Sequence, residues 1–204
     1  MSTQQPRRRC LLLSLAVLAG CAAAPPAPPV ASASAEGSNE VRILVFRAGS
    51  AAALGHNHVL RAGDLRTDWV AEGPVLRFRL DALAVDPPAL RERMGTAFAR
   101  EVGDAARMGT KTNLLKALDA AVHPEVVVRT LQQIGEGARR AVEAEIRLHG
   151  QVRRQWFVVD VEGQRARGKV VVRQSDFGVQ PFTVLGGLLA VQDALVVEFD
   201  LLQP

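Results

Sequence analysis

The chain has 204 residues, 48% apolar and 23% charged, enough for one ordinary domain with a sizeable core. Tyrosine is absent and aromatic residues make up only 4%, so base stacking on nucleic acid has little to work with. The formal charge of +4 includes Arg7, Arg8 and Arg9, which fall in a segment expected to be removed.

That segment is the first twenty residues. Arg7, Arg8 and Arg9 form a positive n-region, and residues 11–19 form an apolar core too short to span a bilayer. Leu18-Ala19-Gly20-Cys21 then has the form of a bacterial lipobox: small residues for the peptidase, and a cysteine whose thiol takes a diacylglyceryl group. Cys21 is therefore the expected lipidation site. Cleavage before it leaves 22 of the 25 basic residues against 21 acidic ones, which removes the case for a basic nucleic-acid patch. With Cys10 lost and Cys21 acylated, no cysteine remains for a disulfide, a catalytic thiol or a metal. Residues 21–39, rich in Pro, Ala and Ser, read as an extended, disordered tether. Ala22 after the cysteine favours the outer membrane, so the expected address is a periplasm-facing lipoprotein.

From there the patterning is mostly that of strands. Residues 41–46 are a first β-rich run, and residues 59–69 a longer one with a bend at Gly63. Residues 75–83 alternate, with Leu76, Phe78 and Leu80 on one face and Arg77, Arg79 and Asp81 on the other. The period then becomes helical: Leu90, Met94, Phe98 and Val102 share a face, with Arg91, Glu92, Arg93 and Arg100 between them. Leu114, Leu115 and Leu118 predict a second short helix that ends before His123-Pro124. Strand patterning resumes at 126–134, 141–149, 151–161, 167–178 and 191–202, with glycine turns between. About eight antiparallel strands with one helical insertion, in one domain over residues 40–204, predict an all-β fold closed as a barrel. Its apolar faces would accept an apolar ligand.

Few motifs carry chemistry. His56 and His58 stand two apart, which on a strand puts both imidazoles on one face, a workable spacing for a metal. The plainer alternative is a polar rim at the barrel mouth. Asp176-Phe177-Gly178 has no phosphate loop or strand lysine to make it a kinase motif, and Ser175 has no nucleophile elbow around it. No catalytic residue is assigned, no cofactor is required, and no enzyme activity is expected. Trp69 and Trp156 read as core or barrel-lining residues.

The ordered set of features resembles the YceI-like family, the lipid or polyisoprenoid-binding YceI-like domain. An early strand leads through Gly55 to a second strand and a helical insertion. Leu114-Leu115, then His123-Pro124-Glu125-Val126, stand where the family has its leucine-rich helix and proline-containing strand entry. Residues 146–154, Ser175-Asp176-Phe177-Gly178, and the Asp193, Leu195, Val197, Phe199 alternation resemble its later motifs. The resemblance spans residues 41–202 and implies a lipocalin-like extended antiparallel barrel that holds a long isoprenoid or fatty-acyl chain in its lumen. Two departures stand out: His56-Asn57-His58 replaces a plainer turn, and the family's Arg-Asp pair at the start of the insertion has only Arg107 and Lys111 nearby as basic candidates. The residues expected to meet the ligand are Phe46, His58, Phe78, Leu115, Trp156, Phe177 and Phe182. The alternatives are a ligand-free barrel that acts through its surface, and a metal protein using His56 and His58. The expected partners are the apolar lipid, and the membrane through the acyl anchor, with no nucleic acid.

Overall fold

The computed structural model describes residues 39–203; the signal segment, Cys21 and all but the last residue of the tether lie outside them. Six strands come first: β1 (Glu40–Val45), β2 (Arg47–Ala48), β3 (His58–Arg61), β4 (Arg66–Val70), β5 (Gly73–Arg79) and β6 (Ala84–Val85). Helices α1 (Pro88–Arg93) and α2 (Asp104–Ala117) follow, with a 3₁₀ turn at Thr96–Phe98 between them. Then come β7 (Glu125–Ile134), β8 (Arg139–Leu148), β9 (Gln151–Glu162), β10 (Arg165–Arg173), β11 (Thr183–Val184), β12 (Leu189–Val191) and β13 (Ala194–Leu202).

Ten strands form one antiparallel sheet in the order β4-β5-β7-β8-β9-β10-β13-β1-β3-β6, which curls into a half-barrel. The meander β7 to β10 follows from the long alternating runs and their glycine turns. The sheet has two strands more than the sequence pattern predicts. Residues 59–69 do not make one bent strand: the chain breaks after Arg61, so that β3 pairs with β1 while β4 pairs with β5 at the far edge. Gly63 makes that crossing possible, because a Cβ there would lie 2.3 Å from the Ala82 carbonyl oxygen. The edges β4 and β6 are not paired to each other, and a side chain links the two sides instead. Asn39 accepts from the Leu202 amide at 2.8 Å and donates to Thr67 Oγ1 at 2.9 Å.

The inner face carries the main core, with Val41, Ile43, Leu60, Leu76, Val142 and Leu201 all buried. A second cluster closes the wall around Phe177, with Ile146, Val170, Val172 and Val179. A third lies outside the sheet. There the predicted Leu90 and Phe98 of the helical insertion cover Leu44 and Val59. Pro88 at the start of α1 suits the first helical turn, where its missing N–H leaves no bond unmade. Helix α2 begins ten residues before Leu114, through a stretch with no apolar stripe. Its Leu114 and Leu115, and Leu118 just past its end, pack on the main core. Lys111 holds it to the β5–β6 loop by donating to the carbonyls of Asp81 (2.7 Å), Leu80 (3.3 Å) and Leu83. Burial lowers the pKa of this ammonium.

Gly168 of β10 gives a sharp steric prediction. A Cβ there would lie 2.3 Å from Phe199 Cζ and 2.8 Å from Cε1. Phe199 in turn stacks edge-on against Phe157, with ring centroids 5.8 Å apart. Gly168→Val is expected to displace both rings and cost about 1–3 kcal/mol in urea unfolding. An unchanged midpoint would show that the Phe199 ring moves freely.

Candidate functional site

The curled sheet encloses an elongated cavity of about 300 Å³. Its walls are aliphatic and aromatic: Ile43, Leu76, Val142, Val170, Phe157 and Phe199 among others. Trp69, Pro74, Thr130 and Gln133 line one end. At the other end stand His58, Gln174 and Phe182, with Asn113 and Leu114 of α2 and Leu118 just past its end. The insertion thus contributes twice, with α1 outside the wall and α2 at the cavity. Gln133, Asn113 and Phe182 are exposed as well as lining, so the cavity meets solvent where they stand. Among the described residues, no Asp, Glu, Lys or Arg lines it, and His58 is the one ionisable side chain on its wall.

His58 is held from behind by a buried charge pair. Asp86 is fully buried and Arg91 is 7% exposed. The Asp86 carboxylate contacts His58 Nδ1 at 2.6 Å and accepts from the Val59 amide at 2.9 Å and from Arg91 at 2.5 Å. The Asp86 amide donates back to the Val59 carbonyl at 2.8 Å. Arg91 also donates to the carbonyls of Asn57 (2.8 Å), Phe98 (2.7 Å) and Arg100 (2.7 Å). Arg91 therefore ties the His56–His58 segment to the insertion. Burial alone would raise the Asp86 pKa, but the hydrogen bonds from His58, Val59 and Arg91 outweigh it, and the carboxyl sits below its ordinary value. A carboxylate only accepts, so the shared proton belongs to His58 Nδ1, and Nε2 is left to meet a ligand.

This pair was not visible in the sequence. Asp86 precedes Pro87-Pro88 and has φ +49°, which makes it look like an ordinary turn aspartate. Arg91 falls between the apolar positions of the insertion and looks solvated. At the start of the insertion the buried pair is Asp86–Arg91. Arg107 instead pairs with Asp104, and Lys111 binds carbonyls.

The sequence candidates are scattered. His58, Phe78 and Phe182 line the cavity. Leu115 packs on the core beside the lining residues Leu114 and Leu118. Phe177 is 2% exposed within the second cluster, where it plugs the wall. Phe46 stacks on Phe98 in the outer cluster, with centroids 5.8 Å apart. Trp156 corrects the expectation of a lining role: it is 46% exposed on the outer face, because its neighbour Phe157 takes the inward position of β9. Trp69, Phe157 and Phe199 supply the lining aromatics that the candidate set lacked.

The two histidines do not share a strand face, since β3 begins at His58 and His56 precedes it. Their rings are 6.2 Å apart. Burial, then the charge of Arg100, lowers the His56 pKa. His123 and His149 pair with each other, and His149 Nδ1 contacts the Phe177 carbonyl oxygen at 2.9 Å. Among the described residues, no group of three or more His, Cys, Asp or Glu is arranged to hold a metal.

No protein-family model and no curated protein matches this sequence. Solved structures do match. The crystal structure of BcnA from Burkholderia cenocepacia superposes with a TM-score of 0.51 at 10% identity, over 81% of this chain and 96% of that one. The YCEI protein of Campylobacter jejuni gives a TM-score of 0.49 at 9% identity, over 70% and 81% of the two chains. At these identities the first likeness shows a common fold: this chain folds as a lipocalin-like curled β-sheet of the kind seen in BcnA.

Proposed function

We propose that this chain is a YceI-like binding protein, not an enzyme, that carries an apolar lipid with one long chain, of isoprenoid or fatty-acyl type, in its half-barrel. The observation that carries this reading is an elongated cavity of about 300 Å³ on whose wall His58 is the one ionisable side chain among the described residues. Ligand cavities start at about this size, and apolar walls with a few placed polar groups are their common pattern. Each methylene buried there contributes about 0.8 kcal/mol before the costs of association. His58, oriented by Asp86, sits where a hydroxyl or phosphate at the end of such a chain would be held. The signal segment, Cys21 and the tether support an envelope address, with the acyl anchor in the outer membrane and the domain in the periplasm.

Displacement of a fluorescent fatty acid tests the reading. Long-chain isoprenols and fatty acids should compete, and short polar analogues should not. His58→Leu should weaken a chain ending in a hydroxyl by about 0.5–1.5 kcal/mol and leave the matched hydrocarbon unchanged. If neither class competes at its solubility limit, the carrier reading fails. If His58→Leu affects both chains equally, the polar end of the ligand lies elsewhere.

A further inference from the structure

We infer that the apolar tip formed by residues 48–55 and 182–191 is a docking surface for an anionic lipid bilayer, placed at one mouth of the cavity. It rests on the carrier reading for its purpose. The two segments meet in the small sheet β11-β12-β2, where Ala190 pairs with Ala48 and Val191 with Arg47. The Ala51 amide also donates to the Leu188 carbonyl at 2.9 Å. In a chain that is 23% charged, residues 48–55 and 177–192 contain no Asp, Glu, Lys or Arg. Their apolar side chains point outward: Leu54 is 69% exposed, Leu185 71%, Leu188 49% and Phe182 40%. Isolated surface leucines are ordinary, but a cluster on two joined loops marks an interaction site.

Three further features favour a bilayer over a protein partner. Leu185 has φ +53°, a left-handed conformation that costs a bulky residue energy and that Gly or Asn would adopt freely. An exposed leucine kept in that state gains nothing from the fold itself, and it sits beside Gly186 and Gly187 in a turn that can slip between headgroups. Behind the tip stands a basic collar. Arg47 donates to the Gly55 carbonyl at 2.9 Å, and Arg100 donates to the Ala53 carbonyl at 2.9 Å. Apolar residues in front of arginines match the layering of an anionic membrane interface. Finally, Phe182 and Val191 belong both to the tip region and to the cavity lining, so a chain leaving the bilayer would meet the mouth where the tip enters. A lipid carrier needs such a contact, because its ligand is scarcely soluble in water.

A site-specific fluorescent label tests this in the full chain carrying Cys10→Ser and Cys21→Ser, which removes the acylation site. One set carries Leu188→Cys and another carries Val171→Cys, which is 48% exposed on β10, outside both tip segments. Each is labelled with the polarity-sensitive NBD group and mixed with vesicles of phosphatidylglycerol and phosphatidylethanolamine. The Leu188→Cys label should shift to the blue and be quenched by spin-labelled lipid, more so than on phosphatidylcholine vesicles, while the Val171→Cys label stays unchanged. The added change Leu54→Asp with Leu185→Asp should abolish the response. Silence at Leu188→Cys, or equal responses at both positions, overturns the inference, and silence is also what a protein-binding tip would give. Solvent extraction of the same preparations keeps the two ideas apart. Bound lipid with a silent tip refutes docking alone, and a responsive tip with no bound or acquired lipid refutes the carrier reading alone.

Discussion

Asp86→Ala should lower the unfolding free energy by about 3–5 kcal/mol, a large share of the roughly 5–15 kcal/mol of an ordinary domain. The loss comes from what stays behind. Arg91 remains buried with its carboxylate gone, the Val59 amide loses its acceptor, and His58 loses its orienting partner. Asp86→Asn should cost nearly as much, because a neutral amide fills the space without offsetting the guanidinium. The same pair sets an acid limit. Folding lowers the Asp86 pKa below its ordinary value of 3.8, so its contribution is fully present above that value and is lost as the pH falls through the lower, folded pKa. Wild-type stability should therefore fall as the pH drops below about 4, by more than that of Asp86→Asn. Urea unfolding of both proteins at pH 7 and pH 3 measures this. A loss at pH 7 below about 1 kcal/mol would mean that Arg91 finds another partner.

The second large effect is expected in binding. Ala144 lies on β8 at 1% exposure, with its side chain on the cavity wall between Val142 and Ile146. Ala144→Phe puts a ring into the space a chain would use. Excluding three or four methylenes removes about 3 kcal/mol, or about a hundredfold in affinity. Stability should change little, because the ring fills space instead of straining packed neighbours. Val158→Phe, at a 42% exposed outer position, is the control and should bind as the wild type does. Equal affinity for all three proteins in the displacement assay would move the ligand out of the half-barrel.

Strands with one apolar face were legible in the sequence, because alternation reports burial directly: Leu76 and Phe78 face inward as their pattern predicts. The insertion was legible for the same reason in the burial of Leu90, Phe98 and Val102, all at most 4% exposed, but not as the one helix their spacing predicts: α1 ends at Arg93, Phe98 lies in the 3₁₀ turn, and Val102 precedes α2. Helix α2 was legible only at its leucine end, since Asp104 to Asn113 carries no apolar stripe. The break in residues 59–69 shows in the sequence only as a change of phase, with Leu60 and Ala62 inward before it and Leu65 and Trp69 inward after it, and the pairing partners reveal that two strands on opposite edges are involved. The site was harder still. A lining residue and an outward residue differ by one position along a strand, so Phe157 and Trp156 exchange roles on a shift that composition does not record. Asp86 and Arg91 were masked by looking like a turn residue and a solvated helix residue. Their burial arises from tertiary packing of the insertion against β3.

The central claim is that the half-barrel holds one long apolar chain. Its most direct test is to purify the protein natively from the cell envelope, extract it with organic solvent and weigh the extract by mass spectrometry, with Ala144→Phe alongside. One isoprenoid or acyl lipid per wild-type molecule is expected, and none from Ala144→Phe. A wild-type protein that yields no lipid, and takes up none when isoprenoids and fatty acids are supplied, would contradict it and leave a barrel that acts through its surface.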